Sequence, residues 1–377
     1  MDQVAWALIV CTLLSLGLTP AVRALCLRAG VVDRPGPRSM HTAPIATLGG
    51  LGMLAAFAFG IWHFAAPSLG GDASGLIAGA VATLAVGAVD DLAKSGLLKL
   101  GRLGDAEGRG LRPLAKMLGQ LAAAGLAVAL GVQIDFIHNP WMTGSANAYI
   151  YLYGWAVPAT IAWIFCVSTV INLIDGLDGL AAGVVAIVAA TLLITSLEMG
   201  LSTTAALLSV IVLGSAIGFL PWNWAPARII MGDSGALFLG YALAAVSVEG
   251  ALKSPAALAL AVPVVALGLP VFDAAFAIFR RWRRRGPIGV ADRDHLHHRL
   301  LALGLSTRDT VLMIYIITGW LGIGAIALGR LGWLPGALLI TFVVSSLIYL
   351  GRRAGVLSHT AAAVEVAATK SGDGRQS

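Results

Sequence analysis

The chain of 377 residues is 58% hydrophobic and only 12% charged, with a mean hydropathy of +0.87. Soluble domains are typically about 45–50% apolar and about 25% charged. This composition therefore excludes a soluble globular protein. The formal net charge of +6 does not imply a nucleic-acid partner. The basic residues fall in short loops, where they would meet anionic lipid headgroups and phosphorylated substrates.

Apolar stretches of about 17–25 residues, the length that crosses a bilayer as a helix, predict eleven transmembrane spans. They begin near residues 4, 48, 73, 113, 152, 178, 200, 233, 254, 309 and 333. The stretches near 73 and 233 carry the weakest signal, and omitting either would move every later loop to the opposite side. We therefore predict an all-α polytopic membrane protein, with a membrane domain over residues 1–350 and a disordered tail over 351–377.

The distribution of lysine and arginine predicts the orientation of these spans. With the N-terminus outside, 23 of the 25 basic residues are cytoplasmic, including Lys116 at the mouth of the fourth span, and only Lys253 and Arg330 are outside. Positive residues in short loops mark the cytoplasmic face. The C-terminus is then cytoplasmic, and every cluster of acids and histidines lies on the cytoplasmic side.

The first cytoplasmic loop carries Arg38 and His41 among prolines and glycines, which keep the loop out of a helix. Arginine and histidine offer hydrogen-bond donors suited to phosphate. The alternative is a basic loop that only contacts lipid headgroups.

Asp90 and Asp91 end the third span, where the helix dipole favours cations rather than acids. Two adjacent carboxylates repel each other unless a cation or a proton intervenes. Mg²⁺ or the nearby Lys94 would compensate them, and the pair suits metal binding or proton abstraction. The alternative is a solvated pair that only ends the helix.

Two further acidic motifs follow on the same side. Asp175 and Asp178 lie between glycines in the segment 172–180, in apolar surroundings where a purely structural turn would not need two acids. Asp233 opens the eighth span in the segment 231–235, a position where it is either a functional acid or only a helix cap.

The last cytoplasmic loop combines an arginine run over 280–285 with the segment 292–299, which contains three histidines. The abundant cationic donors disfavour a bound dication, and the loop lacks the ligand pattern of a closed zinc site. Histidine and arginine together fit a pyrophosphate clamp better.

Taken in order, the segments 33–50, 90–91, 172–183, 232–235 and 292–298 resemble the polyprenyl-phosphate N-acetylhexosamine-1-phosphate transferases, which are glycosyltransferases of family 4. The resemblance extends from the first span to about Leu305. It implies a multi-pass enzyme of the bacterial plasma membrane that uses Mg²⁺, with Mn²⁺ as a substitute. Such an enzyme moves a sugar 1-phosphate from a UDP-sugar to undecaprenyl or decaprenyl phosphate and releases UMP. A homodimer is common among such enzymes.

The resemblance also implies roles for the residues that match the motifs. Asp233 and Asp91 would bind the metal, and Asp90 and Asp91 would bind it or deprotonate the lipid phosphate. The residues implied for the nucleotide are Asn172, Asp175, Asp178 and Asn223. Those implied for phosphate or sugar are Arg38, His41, Lys94, Arg293, His295, His297 and His298. Which of the two adjacent aspartates touches the metal stays open. Direct attack by the lipid phosphate is the favoured route, and a two-step route through an aspartyl intermediate is the alternative.

The histidine run resembles the branch of the family that uses UDP-N-acetylglucosamine, whose product carries the first sugar of a cell-envelope polysaccharide. The alternative within the family is the phospho-N-acetylmuramoyl-pentapeptide transferase of peptidoglycan synthesis. An alternative of another class is a lipid or sugar transporter, although its binding acids would be expected near the bilayer midplane. Three features depart from the family pattern: Lys94 stands where many members have an acid, Thr169 where many have an asparagine, and residues 95–111 form a longer loop.

Overall fold

A computed structural model describes residues 2–35, 43–105, 110–138, 149–198, 203–252, 263–268, 271–272, 300–302 and 304–331, with short segments between 334 and 346. Within these residues the chain is mostly helical, and seven helices are long and apolar enough to cross a membrane. This confirms the prediction of a helical, polytopic membrane protein. The count of eleven spans and the orientation stay predictions, because parts of the stretches near 254 and 333 lie outside the described residues.

Ten helices, two of them belonging to a single stretch, occupy nine of the stretches predicted from the apolar runs. In chain order they are α1 (Asp2–Ala29), α2 (Gly50–Gly60), α3 (Ala66–Leu69), α4 (Asp72–Lys94), α5 (Pro113–Ala129), α6 (Ala156–Ile174), α7 (Leu180–Glu198), α8 (Thr203–Asn223), α9 (Gly232–Leu252) and α10 (Thr307–Leu331). A π-helical turn, Ile61–Ala65, joins α2 to α3, so that the three together form one span over Gly50–Leu69.

Two short antiparallel hairpins, which the all-α prediction did not include, accompany these helices. In the first, β1 (Val32–Asp33) pairs with β2 (Ile45–Ala46). In the second, β3 (Phe136–His138) pairs with β4 (Tyr149–Tyr151). The first hairpin also binds the chain just before α9, since the amide of Ile230 donates to the carbonyl of Ala46 at 3.0 Å. This contact fixes the approach of the chain to the N-terminus of α9.

Helix α9 lies at the centre of the bundle, where it packs against α2, α4, α6, α7 and α8. Its side chains from Ala236 to Leu239 and from Tyr241 to Val246 are buried, as expected for a helix that is apolar on all sides. The hydroxyl of Tyr241 contacts the carbonyl oxygens of Gly75 and Leu76 on α4, at 3.3 and 3.2 Å. The N-terminus of α9 is thereby held at one end of the bundle.

Helices α4 and α9 approach each other closely at Gly87. A Cβ atom at this position would overlap with the backbone N and Cα atoms of Ser234. Only glycine therefore allows α4 to lie against the first turn of α9. One turn further along α4 come Asp90 and Asp91, which this contact brings beside Asp233.

We expect Gly87→Ala to lower the stability of the folded protein by about 1–3 kcal/mol, the usual cost of overpacking a core. The matched control is Gly17→Ala in α1, where an added Cβ meets nothing within 4 Å. Alanine is the better helix former, so the control should unfold at the same or a slightly higher temperature. Thermal unfolding in detergent, followed by size-exclusion chromatography, measures both. Equal unfolding temperatures for the two variants would contradict the close α4–α9 contact.

Candidate active site

Asp91 is buried at the end of α4 and caps α9 from outside that helix. Its two carboxylate oxygens accept hydrogen bonds from the backbone N–H groups of Asp233, at 2.9 Å, and of Ser234, at 3.0 Å. These N–H groups have no partner within the helix, and the positive end of the helix dipole favours an acid there. Gly232 adopts φ +70°, and a Cβ atom on it would overlap with the carboxylate of Asp91. The turn before α9 therefore requires both the glycine and Asp91.

Asp233 is not a capping residue, because its carboxylate accepts hydrogen bonds from three side chains. Its Oδ2 lies 2.5 Å from Lys94 Nζ and 2.6 Å from Lys116 Nζ. Its Oδ1 accepts a hydrogen bond of 2.8 Å from Asn172 Nδ2. The interpretation of Asp233 as only a helix cap is therefore wrong, since Asp91 performs that role.

Asp90 joins the same two lysines from the other side. Its Oδ2 lies 2.9 Å from Lys94 Nζ and 3.5 Å from Lys116 Nζ, while its Oδ1 accepts a hydrogen bond of 2.6 Å from the amide of Leu111. Asp90 is 3% exposed, so it is not a solvated residue that merely ends the helix. Asp90, Asp233, Lys94, Lys116 and Asn172 form what we call the lysine–aspartate cluster. Its two negative and two positive charges balance, which offsets the cost of removing the two carboxylates from water.

Lys94 compensates the acids in this cluster, as one of the two sequence-based interpretations of Asp90 and Asp91 proposed. Lys116 was not predicted to be a site residue and was counted only as a cytoplasmic charge. Its position in the sequence could have indicated a role in the site. Lys116 lies in the first turn of α5, where the helix dipole disfavours a cation. Such a lysine needs nearby acids, and Asp90 and Asp233 provide them.

A cavity of about 240 Å³ adjoins the cluster. Its wall includes Asp91, Lys94 and Asp233 together with residues 175–178 and Asn223. Acids from four separate stretches of sequence thus meet at one end of the bundle. They are Asp33 at the end of β1, Asp91 near the end of α4, Asp175 after α6 and Asp233 at the start of α9. This confirms that these motifs share one face.

Asp175 and Asp178 lie in the turn between α6 and α7, on the cavity wall. Burial and the negative charges of Asp233, Asp91 and Asp178 raise the pKa of Asp175 well above its ordinary value. Asp178 Oδ2 accepts a hydrogen bond of 2.9 Å from the amide of Ala227. A cation or a hydrogen-bond donor in the cavity would therefore stabilise the ionised form of Asp175. Asp178 instead holds the segment before α9.

Asn172 and Asn223, both implied for the nucleotide, have different hydrogen-bond partners. Asn172 belongs to the lysine–aspartate cluster, where its Oδ1 accepts a hydrogen bond of 3.0 Å from Lys116 Nζ. Asn223 is buried, and its amide accepts from Gly179 N at 3.0 Å and donates to Ile229 O at 3.1 Å. Asn223 therefore ties the turn at 175–179 to the segment before α9.

The donor atoms at the cavity fit Mg²⁺, a hard cation that prefers oxygen ligands. Asp91 and Asp233 both present carboxylates to the cavity. Among the described residues no group of three or more His, Cys, Asp or Glu side chains is arranged to hold a metal ion. Mg²⁺ is commonly bound by one or two carboxylates, with phosphate and water completing its shell.

The phosphate clamp predicted from the basic loops stays a prediction. Its residues lie outside the described part of the chain: Arg38, His41, Arg293, His295, His297 and His298.

Taken together, the fold and the site define a polytopic membrane protein with a charged, oxygen-rich cavity at one end of its helical bundle. A family model described as glycosyl transferase family 4 matches residues 73–251. The chain is 37% identical over 330 residues to a probable undecaprenyl-phosphate N-acetylglucosaminyl 1-phosphate transferase of Bacillus subtilis, covering 87% of the chain and 86% of that protein. The chain therefore belongs to glycosyl transferase family 4.

Two further relatives represent different branches. A decaprenyl-phosphate N-acetylglucosaminephosphotransferase of Mycolicibacterium smegmatis is 32% identical over 360 residues, covering 88% of the chain and 85% of that protein. A phospho-N-acetylmuramoyl-pentapeptide-transferase of the same organism is 33% identical over 345 residues, covering 81% of the chain and 90% of that protein. The higher identity to the Bacillus subtilis protein supports the N-acetylglucosaminyl branch, as the histidine run predicted.

Proposed function

We propose that this protein transfers N-acetylglucosamine 1-phosphate from UDP-N-acetylglucosamine to undecaprenyl or decaprenyl phosphate and releases UMP. This reaction would be the first membrane step of a cell-envelope polysaccharide. The observation that carries the proposal is the lysine–aspartate cluster beside the cavity, because it combines cations for phosphate with carboxylates for a metal. The names of the relatives at 37% and 32% identity support a polyprenyl phosphate as the acceptor and N-acetylglucosamine as the sugar.

In the reaction, an oxygen of the lipid phosphate attacks the β-phosphorus of the UDP-sugar. A P–O bond forms there, the bond from the β-phosphorus to the bridging oxygen breaks, and UMP leaves with the electron pair. The second pKa of a phosphate monoester is about 6, so the acceptor is largely ionised at neutral pH without a strong base. Catalysis then depends mainly on positioning and on offsetting the charge of the phosphoryl oxygens.

Lys94 and Lys116 supply that positive charge in our proposal. Their ammonium groups lie at the cavity end of α4 and α5, and Asp233 and Asp90 fix their positions by the contacts described above. Preorganised charges of this kind stabilise a transition state without reorganising during the reaction. Asp175 and Asp178, which also line the cavity, are the residues that we assign to the nucleotide.

Asp233 and Asp91 are the residues that would hold Mg²⁺. When bound, the ion would offset charge on the pyrophosphate oxygens. Each oxygen of Asp91 accepts one backbone hydrogen bond and keeps a second lone pair for a ligand.

We favour direct displacement over an aspartyl intermediate. Both oxygens of Asp91 accept backbone hydrogen bonds, and both oxygens of Asp90 are engaged by Leu111 N or by the lysines. Carboxylate oxygens that are stabilised by donors in this way are poorer nucleophiles than free ones.

We further propose that the site faces the cytoplasm of the bacterial plasma membrane, where nucleotide sugars are made. The strong bias of lysine and arginine toward this side supports the orientation. The acids lie at helix ends, at the C-terminus of α4 and the N-terminus of α9. A transporter would be expected to carry its binding acids near the bilayer midplane instead.

The test is UMP release by the purified full-length protein with Mg²⁺, undecaprenyl phosphate and one of three donors. The donors are UDP-N-acetylglucosamine, UDP-N-acetylgalactosamine and the UDP-muramoyl-pentapeptide. We expect release that requires the lipid and is fastest with UDP-N-acetylglucosamine. Release only with the pentapeptide donor would assign the protein to peptidoglycan synthesis, and no release from folded protein with any donor would overturn the proposed activity.

A further inference from the structure

The segment between α4 and α5 is an ordered loop rather than a simple connection. After α4, Gly96 adopts φ +83° and the amides of Leu97 and Leu98 both donate to the carbonyl of Leu92, at 3.1 and 3.2 Å. A 3₁₀ turn follows at Gly101–Leu103, and Gly104 then pairs with Leu111. We call residues 96–105 and 110–112 the leucine-basic loop. Its backbone hydrogen bonds hold it in a defined shape.

This loop exposes three large apolar side chains, although it lies outside the helices. Leu97, Leu98 and Leu103 are 53%, 39% and 59% exposed. Burying a leucine from water is favourable by about 1.5–3 kcal/mol, so a group of three on an ordered loop marks a surface that contacts something apolar.

The same loop exposes three cations, Lys99, Arg102 and Arg112. Asp105 is the one acid among its described residues, and the charges of Glu107 and Arg109 in the adjoining sequence cancel. Leucines interleaved with basic residues are typical of elements that lie at the surface of an anionic membrane. The apolar side chains enter the boundary with the acyl chains, and the cations reach the phosphates of the headgroups.

The loop is also continuous with a surface that faces lipid. Helix α5 begins at Pro113 and exposes Leu114, Met117 and Leu118 within its first two turns. Since α4 ends at Lys94 and α5 starts at Pro113, both ends of the loop lie at the same membrane surface. The exposed leucines therefore extend the lipid-facing side of α5 into the headgroup region.

We propose that the leucine-basic loop binds the anionic phospholipid headgroups of the leaflet on the active-site side, with Leu97, Leu98 and Leu103 in the headgroup–acyl boundary. The contact bears on the site, because the amide of Leu111 in this loop donates to Asp90 Oδ1. Lipid bound by the loop thus helps to hold the chain against the lysine–aspartate cluster. The inference goes beyond the proposed reaction and does not depend on it.

The first test is hydrogen–deuterium exchange of the full-length, unaltered protein in lipid nanodiscs. One set contains phosphatidylcholine alone, and the other contains about 30% phosphatidylglycerol, a composition that gives the surface a negative potential. We expect the amides of 97–103 to exchange more slowly in the anionic discs, by about fivefold for each cation engaged. The double variant Lys99→Gln with Arg102→Gln should lose this protection. The matched control, Arg28→Gln with Arg34→Gln, removes two exposed cations, one from the last turn of α1 and one from the segment after it, and should keep this protection.

The second test places a fluorophore on Leu98→Cys in a Cys166→Ala background, since Cys11 and Cys26 are buried. We expect its emission to be quenched by nitroxide-labelled lipid, and more strongly in anionic discs. A fluorophore that stays in water in both kinds of disc, together with equal exchange rates, would overturn the proposal and leave a protein partner as the occupant. Neither readout uses transfer activity, so a failure of the proposed reaction would leave this result unaffected.

Discussion

Asp233→Asn is expected to reduce sugar-phosphate transfer by about a thousandfold, the upper range for removing one preorganised charged or hydrogen-bonding group from an active site. Asparagine has nearly the same shape, so Asp91 can still cap α9 through the backbone amides of residue 233 and Ser234. What changes is the charge that faces Lys94 and Lys116. The variant should therefore fold but fail to transfer, and UMP release across a Mg²⁺ titration is the measurement.

Asp135→Asn is the matched control for this variant. Asp135 is exposed in the segment between α5 and β3. Its carboxylate accepts a hydrogen bond of 2.8 Å from the nearby Gln133. The same chemical change there should leave transfer within about twofold, as expected for a surface substitution. If Asp233→Asn kept both its rate and its Mg²⁺ dependence, Asp233 would have no role in binding the metal or in holding the lysines.

The helices could be predicted from the sequence because the membrane imposes their length and composition. Apolar stretches near 48, 73, 113 and 233 became helices that begin at Gly50, Asp72, Pro113 and Gly232. In lipid every backbone group must be bonded within the segment, so an apolar stretch of this length has few alternatives to a helix. The order of these stretches along the chain determines at which end of the bundle each aspartate lies, which is why the motifs at 90–91, 172–180 and 231–235 were correctly predicted to meet. The side on which the arginine and histidine motifs lie stays a prediction.

The partners of the acids could not be predicted, because they depend on contacts between distant parts of the chain. Asp90 and Asp91 are adjacent in sequence, yet one contacts lysines and the other caps a helix that begins 141 residues later. Successive residues on a helix point in different directions, so neighbouring acids need not share a partner. For the same reason the contact of Asn172 with Asp233 could not be predicted, while its role at the nucleotide stays a prediction.

Lys116→Met is expected to lose transfer to a similar extent, and also to destabilise the fold. Methionine fills a similar volume but leaves Asp90 and Asp233 with one cation for two buried carboxylates. Removing one partner of a buried pair costs about 3–5 kcal/mol, and the partial exposure of Lys116 reduces this toward the lower value. Arg28→Met, which removes an exposed cation at the end of α1, should change neither property. Transfer rate and thermal unfolding of the purified variants are the measurements.

Combining Lys116→Met with Asp233→Asn separates the electrostatic role of the lysine from its role in transfer. The double variant again has equal numbers of positive and negative charges in the cluster, Lys94 with Asp90, so its unfolding temperature should rise above that of Lys116→Met alone. Transfer should stay as low as in either single variant, because residues that act as a unit do not lose activity additively. If transfer returned together with stability, Lys116 would act only by balancing buried charge, and the positive charge offered to the phosphates would have to come from Lys94 alone.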